Sequence, residues 1–208
     1  MAQLRLTKNE LRSQQHKLEQ LLKYLPTLQL KKTLLQTQVN ETRYQLKELY
    51  DELEAQKESI EEYAALLSKK LPVNIMEIVQ IKELRRRYEN IAGAEVPLFE
   101  EVIFSDIPYV LFDTPVWIEG VIDGLRQFSW IRGKISVADE RKRVFKKELH
   151  EVSVRVNLFE KILIPRCEVN IKKIKIFLED QFLASIGQAK AAKKKIEKAL
   201  VAAEEEVL

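Results

Sequence analysis

A seven-residue repeat of apolar side chains begins at Leu4 and keeps its register as far as Leu67. If Leu4 is heptad position a, Lys32 is the only polar residue at an a position. A spacing of seven that persists this long predicts a helix that supercoils left-handedly with a partner helix. At a rise of about 1.5 Å per residue, about 65 helical residues would extend roughly 100 Å. The apolar a positions are Leu4, Leu11, Leu18, Leu25, Val39, Leu46, Leu53, Ile60 and Leu67, and half of the d positions are apolar.

Local signals define the ends of this first helix. Thr7 followed by Glu10 is a capping-box pattern, which predicts that the helix starts there. Pro26 lies inside the repeat and predicts a local bend, because proline removes one backbone hydrogen bond. The residue before a proline is disfavoured in helical geometry, so Leu71-Pro72 predicts the end of the helix. We therefore assign residues 1–71 to an N-terminal coiled-coil helix.

A second heptad pattern occupies residues 116–208 and predicts a C-terminal coiled-coil helix. Thr114-Pro115 predicts its start as a cap followed by proline at the first helical position. After Pro165 the apolar stripe moves by one residue, which indicates a kink or a local change of supercoil. One heptad position carries Phe128, Ile135, Leu149, Val156 and Leu163, interrupted by Lys142, and the other carries Ile131, Ala138, Phe145, Val152 and Phe159. Beyond the shift we expect Ile171, Ile174 and Leu178 to continue the stripe, with Phe182 and Ile186 on nearby faces.

The central segment, residues 72–115, has a different character. Its second half is rich in β-forming residues, and Asn90 to Gly93 is a turn signal. One interpretation is a hairpin with arms 78–88 and 94–104 around a turn at 89–93. The first arm is equally compatible with a helix. The predicted fold is therefore mainly α, with a smaller central insert that contains a β-hairpin.

Two long heptad helices on either side of an insert predict an intramolecular antiparallel coiled coil. Both termini would then lie at one end, with the insert towards the other. A parallel homodimeric coiled coil is the alternative. The insert argues against it, because a parallel coil would not need a return helix of matching length.

Composition narrows the functional classes. The net charge is +3, from 35 basic and 32 acidic side chains that alternate along most of the chain, which disfavours nucleic-acid binding. The runs Arg85 to Arg87 and Lys193 to Lys195 are exceptions, and we interpret both as solvated helix or strand surface. Cys167 is the single cysteine and cannot form an internal disulfide, which favours a reducing compartment. No secretory signal and no membrane-spanning apolar stretch are present in the sequence, so a cytoplasmic location is expected.

We find no pattern of residues that predicts catalysis. The sequence lacks a Gly-rich phosphate loop, metal-ligand spacing of His and Cys, and a nucleophile elbow, so no metal or cofactor is expected. His16 and His150 are separate surface residues, and Cys167 beside Arg166 is interpreted as a small buried residue. Trp117 and Trp130 are interpreted as core anchors or as partner-interface residues, with equal weight.

Three motifs resemble the D subunit of the V-type and archaeal-type rotary ATPases. They are LTKNEL (6–11) followed by LPTLQLKKTLLQ (25–36), NIAGAEVPLFE (90–100) and RVNLFEKILIPR (155–166). Their order and spacing match that family over nearly the whole chain, and the third motif is the most specific. Ala94 departs from the valine that the family more often carries after the glycine.

The resemblance implies a central rotor shaft without an active site. The implied partners are the ring of catalytic and regulatory subunits (A and B type), the small F subunit of the central stalk, and the socket subunit above the membrane ring. The chain would then be peripheral to the membrane and would not insert into it. A static coiled-coil scaffold is the alternative, while the γ shaft of F-type enzymes lacks these motifs and a nucleic-acid binder is disfavoured by charge. The expected partner-contact residues are Lys31, Lys32, Arg155, Asn157, Arg166, Lys193, Lys194 and Lys195.

Overall fold

The structure is a computed structural model that describes residues 4–62, 75–105, 115 and 117–205, with side chains described as far as residue 196. The predicted boundaries at Leu71-Pro72 and at Thr114 lie outside these residues. The chain forms two compact units, a terminal unit (Met1–Gln29 with Val154–Leu208) and a middle unit (Leu30–Ser153). The division into segments 1–71, 72–115 and 116–208 stays a prediction. The elements are α1 (Lys8–Glu61), α2 (Ile75–Ile78), β1 (Ile81–Ile91), β2 (Ala94–Phe104), α3 (Ile118–Leu158), a π-helical turn (Phe159–Leu163) and α4 (Ile164–Glu205).

The start and the register of α1 are as the heptad pattern predicts. The Glu10 backbone N–H donates to Thr7 Oγ1 at 3.3 Å, which caps the helix. Every a and d position from Leu11 to Ile60 is buried or half-buried. α1 continues through Pro26 as a single helix, and the bend expected there stays a prediction.

Two polar d positions are buried in this seam, and both have hydrogen bonds. Gln14 Nε2 donates to Glu10 Oε1 at 2.8 Å, and Thr42 Oγ1 donates to the Gln38 carbonyl at 2.7 Å. A buried polar group without a partner would cost about 1–3 kcal/mol, so these local bonds allow the seam to carry polar residues.

Contacts within each unit confirm antiparallel pairing of the two long helices. In the middle unit Lys31 pairs with Glu148, and the Gln56 side chain donates to the Gly124 carbonyl at 3.3 Å. The partner number thus falls as the α1 number rises. In the terminal unit Gln29 Nε2 donates to Glu160. The predicted intramolecular coiled coil is confirmed, and the parallel homodimer is not needed to cover the seam.

The middle unit has a continuous apolar seam between α1 and α3. Leu46 packs with Ile131, Ile135 and Ala138 and is flanked by Leu49 and Leu53. Phe145 and Leu35 have no exposed surface. The predicted heptad positions of α3 are therefore the ones that pack, although α3 begins at Ile118, three residues later than Pro115. Ile118 N–H donates to the Pro115 carbonyl at 3.0 Å, so a turn precedes the helix.

The insert forms an antiparallel hairpin, which resolves the ambiguous first arm. The interpretation as a hairpin placed residues 78–80 in the first strand, but β1 begins at Ile81. Ile75–Ile78 is instead a short helix, and Ile75 and Ile78 pack against Ile118, Val121 and Ile122 of α3. This buried cluster sits at the base of the hairpin, where Ser105 N–H donates to the Gln80 carbonyl at 2.9 Å.

The hairpin turn is tighter than the predicted span of residues 89–93. Ile91 pairs with Ala94, so only Ala92 and Gly93 form the loop. Their φ angles are +53° and +77°, which is the pattern of a type I′ turn. Asn90 Oδ1 accepts the Gly93 N–H at 2.9 Å and closes the turn.

A change at Ala92 should stabilise this turn. Left-handed geometry costs most L-residues about 1–2 kcal/mol, whereas asparagine tolerates it. We expect Ala92→Asn to raise the free energy of unfolding by about 0.5–1 kcal/mol, as measured by urea denaturation. Gly93→Ala is the opposite control, because its Cβ would be strained and would lie 3.2 Å from Lys31 Nζ. An Ala92→Asn variant less stable than the parent would contradict the type I′ assignment.

A bulge keeps one face of β2 towards α3. Arg85 pairs with Glu101 but Arg86 pairs with Phe99, so Glu100 is an extra residue. One extra residue restores the side-chain alternation, and Phe99 and Val102 therefore remain on the same face. A Cβ at Gly133 of α3 would lie 3.1 Å from Val102 and 3.5 Å from Phe99, so this glycine permits the close approach of the hairpin.

The predicted one-residue shift near Pro165 has a structural cause. The Ile164 N–H donates to the Phe159 carbonyl five residues back, which makes residues 159–163 a π-helical turn. Such a turn accommodates one extra residue in a helix, and the proline that follows has no N–H to donate. The seam resumes at Cys167 and Ile174, both buried.

Beyond that point the side chains of α4 become more exposed. Ile171 and Leu178 are half-buried, as the prediction required. Phe182 and Ile186, which were expected on nearby faces, are 65% and 37% exposed and lie outside the packed seam. α1 begins at Lys8, and Lys8 and Leu11 lie beside Leu178 and Phe182, so the two-helix seam reaches only this level of α4.

Candidate functional site

Charge is divided unequally between the two units, which the net charge of the whole chain conceals. The terminal unit carries 16 Lys and Arg against 10 Asp and Glu, a net charge of +6. The middle unit carries 19 against 22, a net charge of −3. Like charges concentrated in one unit create a local potential that a balanced total does not reveal.

Many charges of the middle unit pair with each other. Arg86 Nη1 lies 2.6 Å from Glu140, and this pair joins β1 to α3. Arg85 pairs with Glu101 at 3.5 Å across the hairpin. The run Arg85 to Arg87 is therefore not a basic surface patch, because its members alternate between the two faces of a strand and have acidic neighbours.

A cleft in the terminal unit collects cations from both helices. It has a volume of 660 Å³, and we call it the basic cleft. Four of its lining residues are cations: Arg5 and Lys17 come from the α1 side, and Arg166 and Lys173 from α4. Within the described part of the chain, none of the four forms an ion pair or a side-chain hydrogen bond. The remaining lining residues are Leu4, Glu10, Gln14, Leu163, Cys167 and Asn170.

Glu10, the one carboxylate in the lining, accepts a hydrogen bond from the buried Gln14 side chain.

Of the four cations, the sequence predicts only Arg166 as a contact residue. The other three cations were missed because Arg5 and Lys17 lie far from Lys173 in sequence. A count of basic residues near the helix ends, rather than along the whole chain, would have indicated the cluster.

Two of the expected contact residues are half-buried in the middle unit. Lys31 is half-buried, its Nζ lies 3.9 Å from Glu148, and it reaches the hairpin turn at Gly93. Lys32, the polar a position, is also half-buried. Both lysines thus lie at the seam between α1 and its neighbours, and a role in partner binding stays a prediction.

The remaining expected contact residues are exposed. Arg155 and Asn157 precede the π-helical turn, and Arg155 already has an interaction within the chain. Lys193, Lys194 and Lys195 are exposed on α4, where Lys193 also has an intramolecular interaction. The structure does not bring these residues together with Arg166 in one site, and their partner contacts stay predictions.

A second cleft, of 710 Å³, lies between the hairpin, α1 and α3 in the middle unit. Trp130 forms an edge-to-face contact with Phe99, with ring centroids 5.6 Å apart, and Lys134 Nζ lies 3.4 Å from the centroid of the Trp130 ring. Trp130 therefore anchors the hairpin while it remains 36% exposed. Trp117 packs against the cluster at the base of the hairpin, as expected of a core anchor.

Arg141 is the one described group whose titration is clearly perturbed in this cleft. Loss of hydration on burial lowers the pKa of the guanidinium, and the nearby Glu41 carboxylate opposes this shift. Its side chain donates to Gln45 across the seam, while the buried Nε has no hydrogen-bond partner. Arginine stays protonated despite such a shift, so Arg141 places a fixed positive charge between α1 and α3.

Among the described residues, no group of three or more His, Cys, Asp and Glu side chains is arranged to hold a metal ion. No helix in the same part of the chain has the length and apolar character needed to cross a membrane. His16 lies 3.0 Å from the Gln20 side chain on the exposed surface of α1.

Comparison with known proteins agrees with the motifs. The family model that describes the D subunit of ATP synthase matches residues 10–194. The D subunit of the V-type ATP synthase of Chlamydia caviae is 43% identical over 197 residues, which are 94% of this chain and 95% of that protein. The corresponding protein of Chlamydia abortus is 41% identical over the same shares of the two chains. That of Chlamydia pneumoniae is 39% identical over 196 residues, 94% of each chain. A match of this extent shows that the chain belongs to the family of ATP synthase D subunits.

Proposed function

We propose that this chain is the central rotor shaft of a V-type ATPase, which transmits torque between the nucleotide-binding ring and the membrane rotor. The observation that carries the proposal is that every a and d position of α1 from Leu11 to Ile60 is buried or half-buried, in a chain of this family. Side chains interlocked at each heptad resist twisting of one helix about the other, and a torque-carrying element needs that resistance. The shaft itself has no catalytic role in this proposal.

The two units suit different partners. The terminal unit, with its net charge of +6, would enter the ring of alternating A-type and B-type subunits. The middle unit, which carries the hairpin, would face the small F subunit and the socket subunit above the membrane ring. The chain would then be cytoplasmic, peripheral to the membrane and part of a complex that couples ATP to ion transport.

The exposed apolar side chains of α4 support a surrounding partner. Phe182, Leu183 and Ile196 are each more than 60% exposed on the stretch of α4 that follows Ile174, the last buried residue described on this helix. A partner in the assembled protein normally covers large apolar side chains that cluster on a surface, as Phe182 and the adjacent Leu183 do. A ring of subunits around this part of α4 would provide that cover.

Co-expression with the A-type and B-type ring subunits tests the assignment. A shaft should co-purify as one copy per ring, whereas a scaffold has no reason to show that stoichiometry. Cross-linking then separates a rotating element from a static one. A Lys194→Cys, Cys167→Ser variant carrying a benzophenone maleimide, irradiated in the complex, should stop ATP turnover when it is bonded to the ring.

The matched control is the same labelled complex kept in the dark, which should retain its full rate of ATP hydrolysis. Continued turnover after efficient cross-linking would reject rotation and favour the static scaffold.

A further inference from the structure

We infer that the coiled coil of the terminal unit contains a weak section, in which its two helices open before the packed part of the seam does. The section comprises residues 22–29 of α1 and residues 157–166, which run from the end of α3 into α4, and we call it the paired-proline section. It contains Pro26 on one helix, and the π-helical turn followed by Pro165 on the other. Local opening of this section is a property of the chain itself and does not require the proposed function.

The irregularities of the two helices lie at the same level of the coil. Gln29 Nε2 donates to Glu160, so these two residues face each other across the pair of helices. Pro26 lies three residues before Gln29, and the helices are antiparallel. The level of Pro26 is therefore near Leu163, three residues after Glu160 and at the end of the π-helical turn.

Both helices lose regular backbone hydrogen bonds in this section. Pro26 has no N–H to donate to the Leu22 carbonyl, and Pro165 has no N–H either. The Ile164 N–H bonds to the Phe159 carbonyl, five residues back, instead of to the carbonyl four residues back. Because regular bonds are missing from both helices at one level, neither helix can hold the other in place there as firmly as elsewhere.

The side chains of the section are also less buried than those of the seam in the middle unit. Every residue in the ranges 15–29 and 157–166 is half-buried or exposed, including the seam residues Leu25, Leu28 and Leu163. In the middle unit, by contrast, Leu35 and Phe145 have no exposed surface. Segments with few buried apolar contacts open locally at a lower free energy than a packed core does.

In a rotating shaft, such a section would take up part of the twist. Interlocked seam side chains and continuous backbone hydrogen bonds resist torsion, so strain concentrates where both are reduced. This consequence, unlike the local opening, rests on the proposed function.

Hydrogen–deuterium exchange of the full chain, followed by mass spectrometry, tests the local opening. We expect the amides of residues 22–29 and 157–166 to exchange at least about tenfold faster than those of residues 35–46 and 138–152. Residues 167–174 lie closer to the C-terminus but should exchange more slowly than residues 157–166. Exchange that only becomes steadily faster towards the chain ends would indicate fraying and would overturn the inference.

Removal of one residue tests whether the π-helical turn causes the weakness. The turn holds one residue more than an α-helix, so deletion of the exposed Lys161 should convert it to α-helix and leave the seam on both sides in register. Exchange of residues 157–166 should then slow by about tenfold. The matched control is deletion of Lys147, an exposed lysine of α3. That deletion shifts the seam by one residue and should lower the midpoint of urea denaturation.

Pro26→Ala tests the opposite helix independently, because it restores the backbone N–H without any change of register. Exchange of residues 22–29 should slow by about tenfold in this variant. If the Lys161 deletion fails to fold, Pro26→Ala and the wild-type exchange profile decide. Unchanged exchange in the variants that fold would reject the inference.

Exchange in the assembled complex tests the consequence for rotation. Amides of the paired-proline section should exchange at least about twofold faster during ATP turnover than with a non-hydrolysable ATP analogue, while residues 138–152 should not change. If the chain does not assemble with the ring, the proposed function fails, and exchange of the isolated chain still decides the local opening. If it assembles and turnover leaves the section unchanged, the uptake of twist is rejected.

Discussion

Replacing Leu46 with proline is expected to disrupt the middle of α1 and to lower the free energy of unfolding by more than about 3 kcal/mol. Leu46 is 3% exposed and packs against Ile131, Ile135 and Ala138. The substitution removes a backbone hydrogen bond, introduces a clash with the preceding turn, and empties a core position. Far-UV circular dichroism during urea denaturation measures both the helix content and the stability.

Two further variants separate these effects. Leu46→Ala keeps the helix but leaves a cavity, for which a loss of about 2–5 kcal/mol is typical. Lys47→Pro breaks the helix while the core remains filled, because Lys47 is exposed. The effect of a proline depends on its position in the helix, since α1 continues through the exposed Pro26 of the native chain. If Leu46→Pro left helix content and midpoint at the parental values, the assignment of α1 to a packed seam would be wrong.

Removal of the Phe145 ring should destabilise the middle unit by about 3–5 kcal/mol, the usual range for phenylalanine-to-alanine changes in a core. Phe145 has no exposed surface and is the largest fully buried side chain among the described residues. The loss combines the transfer of the ring to water with a cavity that the two-helix seam can only partly close. The midpoint of urea denaturation should fall, with little change in its slope.

Lys146→Ala is the adjacent control, because Lys146 is exposed and its loss should change stability by less than about 0.5 kcal/mol. Phe145→Leu should recover much of the loss, since an apolar side chain again fills most of the space. Equal stability of Phe145→Ala and the parent would show that this side chain does not lie in a packed core.

The long helices could be predicted because burial in a coiled coil repeats every seven residues. Each a and d position faces the partner helix, so the apolar pattern alone reveals which side packs. The position of the irregularity in the C-terminal helix was also predictable, since a one-residue slip near Pro165 leaves a visible change of phase. Its nature as a π-helical turn was not, because a kink or a change of supercoil produces the same pattern.

The insert was harder to predict because local preference did not distinguish its possible conformations. Residues 81–91 suit either a strand or a helix by pattern, and only pairing with β2 makes them a strand. The close approach of Lys31 to the hairpin turn could not be predicted either, because Gly93 is distant from Lys31 in sequence. The basic cleft joins residues of both chain ends, and no local pattern relates Lys17 to Arg166.

The amino-acid sequence alone determines the two long helices and the face that each one buries. Through three short motifs it also indicates the family. Burial that repeats along a helix follows from the spacing of apolar residues, so the sequence pattern shows it directly. The hairpin, the π-helical geometry and the convergence of four cations depend on contacts between distant segments. Their energies arise only when the antiparallel partner is in place, so they become visible only in the folded chain.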